Sequence, residues 1–262
     1  MTRIYRKRFG QHFLHDPRII CRIVQAINGD AEQHLVEIGP GAGAITAPLL
    51  AACYRLDVIE LDRDLIAPLQ NQFGNGNKLH IHNQDALQTN FCALQESGEE
   101  LRIVGNLPYN ISTPLLFHIL DQVSCIKDMH FMLQKEVAER LAAAPGSGAY
   151  GRLSVMLQYR CAVQVLFLIG PGAFKPPPKV DSAFIRLIPH TKPPVTVEDE
   201  YTFDRIVRLA FAQRRKTLRN ALRGMLDADE IYEAGVDPGL RAERLGLSDF
   251  AALSRSLCRR QS

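Results

Sequence analysis

The 262-residue sequence predicts an α/β protein: a parallel sheet covered by helices and closed by an antiparallel hairpin, followed by a small all-α domain. Three observations carry this prediction. Short apolar runs alternate with helix-like stretches over the first 190 residues. The last two strand candidates are separated by a loop rather than a helix, and beyond a proline-rich linker the apolar spacing is only helical. A hydrophobic content of 46% supplies material for a sizeable core.

Asp16-Pro17 reads as an N-cap followed by proline at the first helical position, opening a helix that stops near Asn28-Gly29. Strand-like runs follow at Leu35 to Ile38, Leu56 to Glu60, Leu79 to His82, Leu101 to Val104 and Met129 to Leu133, with helices such as Asp64 to Phe73 and Lys135 to Ala143 between them. Ala162 to Ile169 and Ala183 to Ile188 form the final hairpin, which departs from a sheet of six parallel strands. Thr191-Lys192-Pro193-Pro194 and Glu198-Asp199-Glu200 read as a linker. The expected domains are therefore 1–195 and 196–262.

No apolar run approaches the roughly 20 residues of a membrane span, and the basic Met1 to Arg8 segment lacks the apolar stretch of a secretory signal. Six well-separated cysteines without a C-x-x-C pair exclude zinc fingers of ordinary spacing and argue for reduced thiols in a cytoplasm. Residues 1–30 and 201–262 each carry net +4, and the middle carries net −5. Basic ends around an acidic middle suit contact with a polyanion, and equally an uneven solvated surface.

Glu37-Ile38-Gly39-Pro40-Gly41-Ala42-Gly43 lies between a strand and a helix, where glycines let the backbone turn tightly beside a ligand. With Ala44 it also satisfies a dinucleotide fingerprint, so a nicotinamide-dependent oxidoreductase stays open at this point. Glu60 ends the next strand, placed to accept the ribose hydroxyls of a nucleoside, while Asp62 or Asp64 suits the capping of the following helix better. Asp85 closes a third strand and can accept from an adenine amino group. Gly105 then leads into Asn106-Leu107-Pro108-Tyr109, which is similar to the Asn/Asp-x-Pro-Tyr/Phe motif of methyltransferases acting on exocyclic amines of nucleobases. The residue types suit that chemistry. An adenine N6 lone pair is delocalised into the ring, and acceptors for its hydrogens, the Asn106 side-chain oxygen and the Leu107 carbonyl, help it pyramidalise. Pro108 stiffens the turn and Tyr109 offers a stacking face. An ordinary strand-to-helix turn, with Ser112 as the next N-cap, is the plainer alternative. The loop Phe174 to Ser182 holds three consecutive prolines that set Phe174 beside the sheet, with Lys175 and Lys179 available to phosphates.

Together with Lys7 to Leu14, Gln134-Lys135-Glu136-Val137 and Gln213 to Asn220, these segments resemble, in order and from end to end, the bacterial small-subunit (16S) ribosomal RNA adenine-N6 dimethyltransferases, the kasugamycin-sensitivity family. The resemblance implies a class I methyltransferase (Rossmann-like) fold, S-adenosyl-L-methionine as cofactor, and transfer of two methyls to N6 of each of two adjacent adenosines near the 3′ end of small-subunit RNA. It implies cofactor contacts from His12, Leu14, Gly39, Gly41, Glu60, Asp85 and Asn106, and catalytic positions at Asn106, Leu107, Pro108, Tyr109 and Phe174. The family holds Asn or His at the position of His12. Nothing in the sequence argues for a metal. The expected partner is small ribosomal subunit RNA or its assembly intermediate, met by a cytoplasmic monomer without membrane attachment.

Taken as one helix, residues 203–225 place Arg205, Arg208, Arg215, Lys216, Arg219 and Arg223 in a sector about 100° wide, opposite Phe203, Ile206, Ala210, Leu218, Ala221 and Met225. Arg208, Arg215, Lys216, Arg219 and Arg223 are the expected RNA contacts. Arg214 falls on the apolar side and is expected to contact the other domain. Gly146 to Gly151 reads as a lid or a permissive turn. Two further functions stay open beside the first: a resistance-type methyltransferase of large-subunit RNA, and a ribosome-assembly or RNA-binding factor in which catalysis is secondary.

Overall fold

The computed structural model describes residues 12–96 and 98–261; the basic N-terminal segment and the start of the first motif lie outside them. Chain order begins with a two-residue strand, β1 (Phe13–Leu14), and helix α1 (Pro17–Ile27). The Asp16 carboxylate accepts from Arg18 N, and Asn28, at φ 48°, ends the helix in the left-handed region. The sheet is then laid down by β2 (His34–Ile38), α2 (Thr46–Ala51), β3 (Arg55–Ile59), α3 (Arg63–Phe73), β4 (Leu79–His82), β5 (Leu101–Asn106), α4 (Ser112–Leu120) and β6 (Ile126–Gln134). After α5 (Lys135–Leu141) and α6 (Arg152–Arg160) come β7 (Cys161–Ile169), β8 (Phe174–Lys175) and β9 (Ser182–Pro189). The remainder is helical: α7 (Glu200–Ala212), α8 (Leu218–Ala221), α9 (Ala228–Glu233) and α10 (Leu247–Gln261).

The seven-stranded sheet has the order β4-β3-β2-β5-β6-β9-β7. Its first five members pair in parallel and β9 runs antiparallel to β6, from Met129↔Leu187 to Gln134↔Ser182. Every residue of β2 is buried, as a strand covered on both faces requires. Successive crossovers run outward from β2 to β4, then return to place β5 on the other side of β2. This reversal opens a crevice at the carboxyl ends of β2 and β5. Ile38 pairs with Gly105 there, and a Cβ on Gly105 would lie 2.7 Å from the Ile38 carbonyl oxygen. A separate two-stranded sheet, β1 with β8, was not legible in the periodicity, because two residues are too few to show one.

Two compact units divide the chain differently from the expected break at 195. Among the described residues, one takes those through Ala138 together with Val163–Pro189, and the other takes Glu139–Ala162 and the chain from His190 onward. Packing explains the difference. Tyr150, Val155 and Tyr159 are buried with Phe203, Ile206, Leu218 and Phe250 in the core of the helical unit. The segment around α6 is thus an excursion from the sheet domain whose apolar face is filled by later helices. The acids read as linker instead cap α7: the Asp199 carboxylate accepts from Tyr201 N and Thr202 N.

Four other expectations change. The helix expected through 203–225 is broken: α7 ends at Ala212, and α8 begins only at Leu218, whose N–H donates to the Leu240 carbonyl at 2.8 Å. Arg214 lies beyond α7 and donates to the Gly148 carbonyl at 2.9 Å, within its own helical unit. The Gly146–Gly151 loop is anchored rather than lid-like, since Gly146 N donates to the Glu243 carbonyl and Tyr150 is fully buried. Finally, Cys92 and Cys125 form a disulfide, with Cα atoms 5.5 Å apart, where six reduced thiols were expected. Phe91 N donates to the Gln122 side chain at 2.7 Å, a tertiary contact that brings together two segments with no telltale cysteine spacing. Cys21, Cys53, Cys161 and Cys258 are free thiols.

Candidate active site

A cleft of about 1320 Å³, counting its open mouth, occupies the crevice of the sheet unit. It collects His12, Leu14, Gly39, Gly41, Glu60, Asp85, Asn106, Leu107, Pro108 and Tyr109 along one wall-to-wall surface. Every sequence-predicted cofactor residue therefore lines one cavity, although these residues span nearly a hundred positions of chain.

The glycine loop begins where β2 ends. Gly39 N donates to the Ile59 carbonyl at 2.9 Å, which ties the loop to β3. Gly41 has φ 58°, and a Cβ there would meet the Phe13 ring at 3.0 Å. Both the left-handed backbone and the tight space select glycine. Gly41 N donates to Glu60 Oε2 at 3.3 Å, and Asp62 N donates to Glu60 Oε1 at 2.9 Å. Burial holds the Glu60 carboxyl above the usual carboxylate range, against these two amides, and neighbouring Asp62 pushes in the same direction. Asp62 does the capping expected of it, accepting from Asp64 N at 3.1 Å, so Glu60 is left to the cleft. Asp85 accepts from Leu87 N at 2.9 Å and lines the cleft.

Asn106 closes β5 and its side chain has a defined polarity. Nδ2 donates to the His12 carbonyl at 3.0 Å, which leaves Oδ1 as the acceptor. Leu107 N donates to the Met132 carbonyl at 3.1 Å, holding the peptide against β6, and Ile111 N donates to the Pro108 carbonyl in the turn that follows. The Tyr109 hydroxyl lies 2.8 Å from Ser182 Oγ, and burial raises its pKa. The His12 ring stacks on Tyr109, with centroids 5.6 Å apart and planes 30° from parallel. His12 Nδ1 donates to the Pro176 carbonyl at 2.8 Å, so the triple-proline loop positions the first motif. Ser112 is the first residue of α4 and not its cap; Ile111 takes that position without a side-chain bond.

Phe174 is a correction. Its ring is only 2% exposed, packs with Leu14, Ile23, Phe167 and Phe184, and does not line the cleft. Pairing of β1 with β8 sets Leu14 opposite Phe174, and the ring lies in that apolar cluster. Phe184, in β9, reaches the cleft instead. No local signal distinguished Phe184 from its apolar neighbours. Glu37 also lines the cleft and was named only as part of the glycine motif. An acid within the otherwise apolar run Leu35 to Ile38 was the available signal. It is fully buried, accepts from Thr46 Oγ1 at 2.7 Å, and burial pushes its pKa up to about 8.

The expected RNA contacts Arg208, Arg215, Lys216, Arg219 and Arg223 are all exposed in the helical unit. They sit on α7, on α8 and on the turns that follow each, so their common orientation on a single helix does not hold. Among the described residues, no group of three or more His, Cys, Asp or Glu side chains is placed to hold a metal ion, and no helix is long and apolar enough to cross a membrane.

Residues 3–257 match the sequence model of a family described as ribosomal RNA adenine dimethylase. The chain is 58% identical over 252 residues to a Pseudomonas aeruginosa protein named ribosomal RNA small subunit methyltransferase A, covering 96% of this chain and 94% of that one. A Marinobacter nauticus protein of the same name is 56% identical over 249 residues, covering 95% and 90%. Among solved structures, a dimethyladenosine transferase from Plasmodium falciparum superposes with a TM-score of 0.80 at 26% identity, covering 92% of this chain and 96% of that one. The 23S rRNA methyltransferase ErmE superposes with 0.70 at 24% identity, covering 94% and 99%, a likeness of fold. The mostly parallel sheet with its antiparallel addition is a class I methyltransferase (Rossmann-like) fold. The chain belongs to the ribosomal RNA adenine dimethylase family.

Proposed function

We propose that this chain is an rRNA adenine-N6,N6-dimethyltransferase that uses S-adenosyl-L-methionine to dimethylate two adjacent adenosines near the 3′ end of small-subunit ribosomal RNA during ribosome assembly. The observation that carries this function is the fixed polarity of Asn106, whose amide nitrogen is engaged by His12 while its oxygen remains an acceptor in the cleft.

The cleft fits the cofactor on its own features. Gly39 and Gly41, both with positive φ, leave backbone close to the cavity wall; Glu60 directly follows β3 and lines the cavity, and Asp85 follows β4. Glu60 suits the ribose hydroxyls, Asp85 the adenine amine, and His12, Leu14, Gly39 and Gly41 the methionine side. When bound, S-adenosyl-L-methionine supplies an electrophilic methyl group. Asn106 Oδ1 and the Leu107 carbonyl accept from the target amine and favour its pyramidal form, in which the lone pair is free to attack. Hydrogen bonds donated to the Met132 carbonyl of β6 and to the His12 carbonyl hold these acceptors in advance, so little reorganisation accompanies the reaction. Tyr109, fixed through Ser182, offers its face to a flipped base. In the structure the His12 ring stacks on Tyr109, so it borders the place the base would take. No cysteine lines the cleft among the described residues, which supports direct transfer without a thiolate adduct.

Arg208, Arg215, Lys216, Arg219 and Arg223 would contact phosphates of small-subunit RNA, with the protein acting as a cytoplasmic monomer. Labelled S-adenosyl-L-methionine incubated with unmethylated small and large ribosomal subunits tests the whole assignment. Dimethyladenosine confined to small-subunit RNA is expected. Label confined to large subunits overturns the substrate, and absence of label from both overturns the activity.

A further inference from the structure

The helical unit contains a second, polar pocket of about 1020 Å³, open to solvent, lined by Arg219, Asn220, Arg223, Asp227 and Arg260. Three guanidinium groups converge on one concavity from two distant parts of the chain. Arg219 and Arg223 are exposed; Arg219 N donates to the Pro238 carbonyl at 3.2 Å, while neither guanidinium group forms a hydrogen bond or ion pair among the described residues. Arg260 is held: Nη1 donates to the Met225 carbonyl at 3.1 Å and to Glu230 Oε2 at 3.2 Å. Those bonds engage one nitrogen of the fork and leave the rest of its donors uncommitted to described partners.

The two acids nearby are already occupied. Asp227 Oδ1 accepts from Glu230 N at 2.9 Å, and Glu230 Oε2 accepts from Asp227 N at 2.8 Å, a reciprocal capping of α9. Glu230 thus both closes that cap and orients Arg260. Counting Asp227 and Glu230 against the three arginines, the pocket retains net positive charge. Asn220 Nδ2 lies 3.2 Å from Thr217 Oγ1, which orients the amide at the rim. Such a set of planar, donor-rich forks suits tetrahedral oxyanions, with arginine matching phosphate in two-point geometry.

We infer that Arg219, Arg223 and Arg260, with Asn220, form a phosphate pocket that grips the backbone of the RNA substrate. This assignment rests on the proposed function for its RNA partner and adds Arg260 and Asn220, which the charge pattern of the sequence did not single out. Phosphate contacts carry no base information; they set register and orientation, so the pocket would contribute affinity and placement independent of sequence.

The test is full-length protein titrated with unmethylated small ribosomal subunits at several salt concentrations, for the wild type, Arg219→Gln/Arg223→Gln and Arg260→Gln. Loss of each phosphate contact should lower the salt slope by about 1. The double variant is expected to bind several-fold more weakly at moderate salt with a slope reduced by about 2, while cofactor affinity and thermal midpoint stay at wild-type values. Arg260 also ties α10 to the Met225 carbonyl, so Arg260→Gln is read beside the double variant, whose guanidinium groups make no such bond. An unchanged slope and affinity in the double variant would overturn the pocket. Weaker binding of inorganic phosphate with an unchanged RNA slope would assign it to a free anion and also overturn the RNA partner. If wild-type protein binds small subunits without methylating them, the catalytic function fails, and the slope difference still decides the pocket.

Discussion

Two pairs of buried carboxylates in the sheet unit have opposite surroundings. Asp57 receives hydrogen bonds from His34 and His82, each at 2.5 Å, and from Arg55 at 2.6 Å. Burial alone would raise its pKa, but those donors outweigh it and hold the carboxyl well below the usual range. Asp128 is likewise bound by Arg102 and Arg186, and its pKa is lowered against the same desolvation. Glu37 and Glu60, in contrast, face the cleft with no cationic hydrogen-bond partner among the described residues, and burial raises the pKa of both. Arginine and imidazole donors on neighbouring strands bind Asp57 and Asp128, whereas Glu37 and Glu60 accept only from neutral groups at the cleft.

The contrast can be broken most strongly at Glu37. Its folded carboxyl holds a proton up to about pH 8, while the unfolded one releases it near 4.5, so folding takes up a proton in that window. Stability should therefore fall as pH rises from about 4.5 to about 8, by about 5 kcal/mol at 1.36 kcal/mol per pKa unit. Glu37→Gln should flatten that slope in denaturant unfolding measured across the range. A wild-type curve already flat there would contradict the environment assigned to Glu37.

Asp57 should behave with the opposite sign. Its depressed pKa contributes stability that is present above about pH 3.8 and lost as pH falls toward the folded value. Removing the carboxylate in Asp57→Ala leaves buried donors unpaired and should cost about 3–5 kcal/mol in equilibrium unfolding. A loss under about 1 kcal/mol would mean that the cluster is not a structural tie.

Asn106→Ala sharpens the functional side. Removal of one preorganised acceptor should reduce kcat by about 10²–10³ while the thermal midpoint moves little. An unchanged kcat would assign Asn106 to the turn alone. Glu60→Gln is the mildest change: loss of a charged acceptor for ribose should weaken cofactor binding by about 1.5–3 kcal/mol, roughly ten- to a hundredfold, as read by calorimetry. Equal affinity in wild type and variant would remove Glu60 from the ribose site.

Local sequence carries far into this site. Gly39, Gly41, Glu60, Asp85 and Asn106 were legible because each stands at or just after the end of a recognisable strand, and in a parallel sheet strand ends converge. The capping assignments of Asp16 and Asp62 were legible for a similar reason, since a cap acts within three residues of itself. Phe174 failed this test. Being next to a rigid proline loop said where the residue lies along the chain, but not which way its ring turns, and pairing of β8 with β1 put it in the core.

By itself, then, the sequence determined the alternation of strands and helices, the glycine turn, the acids at strand ends and the Asn106 to Tyr109 motif, all set by interactions among near neighbours. Tertiary structure decided what depends on distant partners: the transfer of Glu139–Ala162 to the helical unit, the break between α7 and α8, and the Cys92–Cys125 bond. It also decided the direction in which the Asn106 amide points, because that is set by the carbonyl of His12, 94 residues away. Short-range periodicity encodes which surface of an element is apolar; only packing chooses the element that covers it.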